Sequence, residues 1–237
     1  MVVDIFRRSR ISRCSFETKL VLVTSIVLWV LGAFVLYLAE FNNSATMGDF
    51  SWFDKIFGAI FSSVSGRTAG FSIMDFGEVT DVTKSTFSGL MFIGGAAGSV
   101  AGGIKVATFA VLMAAVISSL NGRPHAEDFG REIHQSQLHR ALTVAVLGFA
   151  LILVSATVLT TLEPDIPFQD IIFDLVSAFG TTGASTGIIA DTGLAANILC
   201  MALMYVGRLG PVALALALAT EDDTEVYRFA QASIKLG

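Results

Sequence analysis

Charged side chains are scarce in this sequence: Asp, Glu, Lys and Arg make up 15% of its 237 residues, against about 25% in an ordinary soluble domain. With 54% hydrophobic residues and a mean hydropathy of +0.72, that shortage excludes a soluble globular domain and leaves a membrane protein. Cysteine is scarcer still. Cys14 lies in a basic N-terminal segment and Cys200 in an apolar stretch, which excludes a disulfide framework and a thiolate metal site. Three histidines, His125, His134 and His139, share one polar connector with no cysteine beside them and no pair squarely on one helical face, so they read as solvated loop residues. No acid/base pair or nucleophile with a base is visible. The chain is read as not an enzyme, with no cofactor and no nucleic-acid partner.

What the sequence has instead is apolar runs. Leu20–Ala39 is predicted to be a first membrane span, Ala141–Leu162 another and Leu194–Ala219 a last one, each long enough for a hydrocarbon core about 30 Å thick. A fourth runs from Ser85 through Leu120 and is interrupted by glycine. Met1 to Lys19 is polar and basic, so no cleavable signal is expected. Arg7, Arg8, Arg10, Arg13, Lys19, Arg123, Arg131, Arg140, Arg228 and Lys235 fall on one side of these spans, and Lys55 and Lys84 on the other. The positive-inside rule therefore places both termini in the cytoplasm of a plasma membrane. The divisions expected are a basic cytoplasmic segment (1–19), a first membrane unit (20–120), a cytoplasmic connector (121–140), a second unit (141–220) and a cytoplasmic tail (221–237).

Two glycine-punctuated stretches organise these units: Ser65-Gly66-Arg67-Thr68-Ala69-Gly70-Phe71-Ser72 and Phe179-Gly180-Thr181-Thr182-Gly183-Ala184-Ser185-Thr186-Gly187. Each follows an amphipathic stretch too short to span, Trp52–Val64 or Pro167–Ala178, with Asp49 or Ser51 able to cap the first. Membrane helix, short helix, Thr-x-Gly loop and membrane helix thus occur twice. Non-helical backbone at membrane depth is tolerated only inside protein or along a watery cavity. There its carbonyls are suitable ligands for a dehydrated alkali cation, and glycine lets successive carbonyls turn toward one axis. One such loop would be an ordinary turn; two in matching contexts point to a cation filter.

Between Ile93 and Val106 stands Gly94-Gly95-Ala96-Ala97-Gly98-Ser99-Val100-Ala101-Gly102-Gly103-Ile104-Lys105. Glycine costs a helix interior roughly 1 kcal/mol relative to Ala, so the helix is predicted to break in mid-membrane, as at many transport sites. A dinucleotide loop is excluded because no strand precedes it; small-residue helix packing is the plainer alternative. Lys105 favours the intramembrane loop, since a buried ammonium needs a partner or a task. Glu163, Asp165, Asp170 and Asp174 follow the third span with no basic partner in view, an acidic mouth that would gather cations. Asp174 lies deep enough to tune an ion site. Arg208 stands inside the last span beside Pro211, a predicted kink.

Together, Ser-Gly-Arg-Thr-Ala-Gly-Phe-Ser, the Gly-Gly-x-x-Gly-Ser-x-x-Gly-Gly-Ile-Lys run, Ser-Ala-Phe-Gly-Thr-Thr-Gly-Ala-Ser-Thr-Gly and Gly-Arg-Leu-Gly-Pro resemble the third and fourth pore repeats of the Trk/Ktr/HKT potassium transporters. The resemblance covers about Leu20 to Gly237. It implies an all-α membrane protein of two membrane-helix, pore-helix, membrane-helix repeats with re-entrant filter loops, half of a four-repeat, potassium-channel-like pore. It further implies that Thr68, Ala69, Gly70 and Phe71, with Thr181, Thr182, Gly183 and Ala184, are filter residues binding K+ through backbone carbonyls. Gly94, Gly95, Gly98, Gly102, Gly103, Lys105 and Arg208 would form a gate beneath them, with Arg208 as an electrostatic barrier. A cytosolic ring of nucleotide-binding regulatory subunits is the partner implied. Family members have four repeats and this chain has two. A second copy, as a homodimer, or a separate N-terminal half would complete the pore, or the chain conducts nothing. A different class of function is a non-conducting membrane module that docks a cytosolic regulator; transport of an organic solute is disfavoured, because the loops offer mostly backbone and hydroxyl ligands.

Overall fold

The computed structural model describes residues 15–96, 98–123, 125–128 and 130–210. The arginines before Ser15, the expected kink at Pro211, the end of the last span and the tail lie outside the described residues.

Helix α1 (Phe16–Glu40) starts ahead of the predicted Leu20 because Ser15 caps it, its hydroxyl accepting the Thr18 amide at 3.3 Å. Ser51 rather than Asp49 caps α2 (Trp52–Ser65) through the Asp54 amide. Thr80 caps α3 (Asp81–Phe92), which therefore begins one turn before the predicted Ser85. Helix α4 (Val106–Leu120) follows the glycine run. The connector is more structured than its polarity suggests: β1 (Glu127–Asp128) pairs antiparallel with β2 (Arg131–Glu132). Exposed His134 then caps α5 (Gln135–Leu162) by accepting the Ser136 amide at Nδ1. Helix α6 (Phe168–Gly180), a 3-10 turn (Ile188–Asp191) and α7 (Leu194–Leu209) complete the chain. Among the described residues α1 and α5 are long and apolar enough to cross a membrane.

Helix α6 is the centre of the packing. It lies against α3, α5 and α7, while α1 lies against α2, α3 and α4. Ile171, Phe173, Leu175 and Phe179 of α6 are wholly buried. Phe173 meets Phe76 and Phe87 with ring centroids 5.0 and 5.9 Å away, and Phe92 stacks on Phe179 at 5.8 Å. Such close aromatic pairs add about 0.5–1.5 kcal/mol each beyond the area they bury.

Buried polar groups tie the helix ends together. Glu40, the residue just past the predicted span Leu20–Ala39, is fully buried. Its carboxylate accepts from the Thr80 amide, the hydroxyls of Thr80, Thr83 and Thr46, and the Asn43 side-chain amide. That knot fastens the end of α1 to the start of α3. Lys55 donates to the Phe41 carbonyl at 2.8 Å, with its ammonium 4.4 Å from the centre of the Phe41 ring.

Lys84 corrects the expectation of an unpartnered acidic mouth: its ammonium meets the Asp170 carboxylate at 2.6 Å, both side chains largely buried. The pair joins α3 to α6, and Gln169 adds a bond to Ser85 at 2.7 Å beside it. Removing one partner of a buried pair strands the other charge, at about 3–5 kcal/mol, whereas replacing both with apolar groups is often near neutral. Lys84→Met is therefore expected to lower thermal stability by about that amount, and Lys84→Met/Asp170→Leu to recover most of it. Denaturation in detergent followed by tryptophan fluorescence measures both; equal losses would show that the pair contributes no coupling.

Candidate functional site

Each short helix ends in a loop that bends the same way. Thr68 and Gly70 have φ of 67° and 76°, and Thr181 and Gly183 have φ of 51° and 87°. A β-branched residue at positive φ is an outlier held only by its surroundings, so two threonines in that state are not accidental turns. The same spacing separates Thr68 from Thr181, Gly70 from Gly183, and Leu90–Gly94 from Leu203–Gly207, so the residues from α2 to the end of α3 correspond one by one with those from α6 to the end of α7.

The two loops touch. A Cβ added at Gly70 would collide with the Thr182 carbonyl oxygen, so glycine is required there by space as well as by φ. At Gly183 the space for a Cβ is open, and only the backbone angle demands glycine. Ser65 closes the first loop by donating to the Phe71 carbonyl. In the second, buried Asp174 accepts from the Ser185 hydroxyl and the Thr186 amide, each at 2.8 Å. Its carboxylate thus ties the return limb of the loop to α6, and Asp174 also lines the cavity beside that loop. Thr182 and Ala184 are buried, Gly183 and Ala69 exposed, and Phe71 is among the most exposed apolar residues.

The glycine run leaves the helix at Phe92 and rejoins at Val106, as predicted, but its neck is closed rather than slack. The Gly94 amide donates to the Ile104 carbonyl at 2.8 Å, and the Ile104 and Val106 amides donate back to Phe92 and Gly95 at 3.1 Å each. A Cβ at Gly94 would strike the Gly102 carbonyl oxygen, so the neck closes only around glycine. Lys105 has partners after all, donating to the carbonyls of Ala101 at 2.6 Å and Ser99 at 3.3 Å. Arg208 donates to the Val100 carbonyl. Gly98 stands apart, with nothing near the Cβ it lacks.

The run is also bonded to both loops. The Gly102 amide donates to the Thr181 hydroxyl at 3.1 Å, and Arg67 Nη2 donates to the Gly94 carbonyl at 2.8 Å. Sequence reasoning assigned Arg67 no role. The signal was available, because it is the one charged side chain in either loop motif. Its Nε and Nη1 are buried without a hydrogen-bond partner among the described residues. A cavity of about 660 Å3 opens beside the second loop, lined by Ser177, Thr181, Gly183, Met204, Tyr205 and Arg208 among others. The structure thus brings Thr181–Ala184 and Arg208 around one space, with the glycine run tethered to both loops. Among the described residues no group of three or more His, Cys, Asp or Glu gathers as a metal site would need.

The sequence profile of the cation transport protein family TrkH matches residues 7–227. The chain is 31% identical over 226 residues to Ktr system potassium uptake protein B of Bacillus subtilis, covering 95% of this chain and 51% of that protein. It is 32% identical to the potassium/sodium uptake protein NtpJ of Enterococcus hirae, covering 99% of this chain and 53% of that one. The fold is similar to the crystal structure of the potassium transporter TrkH from Vibrio parahaemolyticus, with a TM-score of 0.68 at 21% identity, over 83% of this chain and 43% of that one. The chain therefore spans about half the length of the curated relatives it matches.

Proposed function

The chain belongs to the TrkH family of cation transport proteins, and from that premise we propose that it forms half of a potassium-conducting membrane pore. Thr68–Phe71 and Thr181–Ala184 act as filter segments, each loop carried by a re-entrant helix, α2 or α6. The observation that carries this reading is the matched left-handed Thr and Gly in two loops that touch. Alternating the hand of successive residues turns their carbonyls to one side, where they replace the hydration shell of a cation. The units are 20–120 and 141–220, in a plasma membrane, with the connector and both termini on the cytoplasmic side. Relatives named for potassium uptake, and one for potassium and sodium, support the ion.

The glycine run with Lys105 and Arg208 forms the gate. Two cations holding three of its carbonyls keep the loop against the conduction path, and their charge opposes a passing K+. The β1–β2 connector is a built element on the cytoplasmic side, suited to dock a regulatory subunit, which favours keeping that partner in the reading. The test is potassium uptake by vesicles containing the assembled protein, with sodium as competitor. Selective potassium flux is expected; a sealed, correctly folded preparation that carries neither ion would overturn conduction and leave the docking module.

A further inference from the structure

The neck of the glycine run is held from both loops at once. Its two limbs are paired through the Gly94, Ile104 and Val106 amides. Arg67, in the first loop motif, donates Nη2 to the Gly94 carbonyl on one limb at 2.8 Å. Thr181, in the second, accepts the Gly102 amide on the other limb at 3.1 Å. No slack separates these parts: a Cβ on Gly102 would lie 2.7 Å from the Thr181 hydroxyl and 2.9 Å from the Gly180 carbonyl oxygen. Both bonds start where the loops are strained. Thr181 itself has φ of 51°, and Arg67 directly precedes Thr68, at 67°.

The correspondence between the two units sets Arg67 apart. At the spacing that pairs Thr68 with Thr181, Arg67 corresponds to Gly180 and Gly95 to Arg208. Each unit thus carries one arginine and one glycine at this pair of places, with the places exchanged, and both arginines end on carbonyls of the run, Gly94 and Val100. Their surroundings differ. Arg208 is exposed, whereas Nε and Nη1 of Arg67 are buried without a hydrogen-bond partner among the described residues. Unpaired buried donors are costly, and a single bond to a carbonyl needs no guanidinium, so fastening the neck does not by itself account for the arginine. A buried polar group kept at such a cost calls for a further role.

We propose that Arg67 is a positioning residue: with Thr181 it couples the filter loops to the neck of the run, so that the neck is held while potassium fills the filter and released when the filter empties. This rests on the filter reading above. A cation bound by carbonyls favours the bent loops that aim them, and so shifts the balance toward whatever those bends support. When Thr68 or Thr181 relaxes toward the ordinary backbone region, the root of the Arg67 side chain or the Thr181 hydroxyl swings with it and its bond to the neck parts. The hinge of the gate is thereby set by the ion in the filter. The tip around Gly98, at φ of 82° with open surroundings, keeps its own freedom.

The test is hydrogen exchange of the assembled protein in nanodiscs, in potassium or in N-methylglucamine, a cation too large for such a filter. Potassium is expected to slow exchange at least tenfold both in the two loops and at the Gly94, Ile104 and Val106 amides of the neck. In Arg67→Met and in Thr181→Val the loops are expected to keep that response and the neck to lose it, while Thr181→Ser, which retains the hydroxyl, keeps both. Loosening of the neck that is equal in either medium would make Arg67 merely structural and overturn the proposal. Should Arg67→Met fail to fold, Thr181→Val and the unaltered chain decide. A neck indifferent to potassium beside loops that respond also overturns the proposal and leaves the filter reading standing. Loops indifferent to potassium overturn the filter reading, and the coupling with it.

Discussion

Gly70→Ala is expected to reduce potassium flux at least a hundredfold, and Gly183→Ala to do much less. At Gly70 two penalties coincide. The backbone sits at φ of 76°, where an L-residue costs roughly 1–2 kcal/mol. The new methyl would also overlap the Thr182 carbonyl oxygen, one of the proposed ligands, so the first loop can accept it only by pushing the second out of place. At Gly183 the angle is similar, but nothing stands where the methyl would go. That variant keeps the carbonyls near their positions and changes flux by about tenfold, the effect of some 1.4 kcal/mol. Rubidium uptake with sodium competition measures both. Equal losses would show that the Gly70–Thr182 contact is not part of the filter, and unchanged flux in both would remove the loops from the path.

Arg208→Ala is expected to raise flux by roughly tenfold. A cation about 10 Å from a guanidinium, at an effective dielectric constant near 20, is opposed by about 1.7 kcal/mol, and a barrier lowered by about 1.4 kcal/mol gives a tenfold faster step. The substitution also frees the Val100 carbonyl, the point at which α7 holds the glycine run. Arg208→Lys keeps the charge and loses the planar fork, so it separates the two contributions: it should leave the barrier high while loosening the loop. Single-ion flux in the assembled protein reads the first effect, and hydrogen exchange across residues 94–104 reads the second. A large loss of flux in Arg208→Ala, with exchange across the run raised, would make the arginine a structural anchor rather than a barrier.

The positions of helices, breaks and loops were legible from the chain itself, because each depends on a local property. Apolar runs set α1 and α5, a density of glycine set the break after Phe92, and Thr-x-Gly after a short amphipathic stretch set both loops. Arg67 was overlooked although its motif was in view: a charge in such a loop has no meaning until its partner is known, and its partner, the Gly94 carbonyl, lies 27 residues on. Asp170 looked like an open acid until Lys84, 86 residues away, proved to hold it. Asp174 was legible only by its depth, and its bonds to Ser185 and Thr186 on the return limb of its own loop appear only in the fold. Glu40, just past a predicted span, is a buried knot between α1 and α3. Hydrophobicity and backbone preference are summed along the chain and can be read from it. Pairing of buried charges and collisions between backbones, as at Gly70 and Thr182, depend on distances between segments far apart in sequence, and only the folded arrangement decides them.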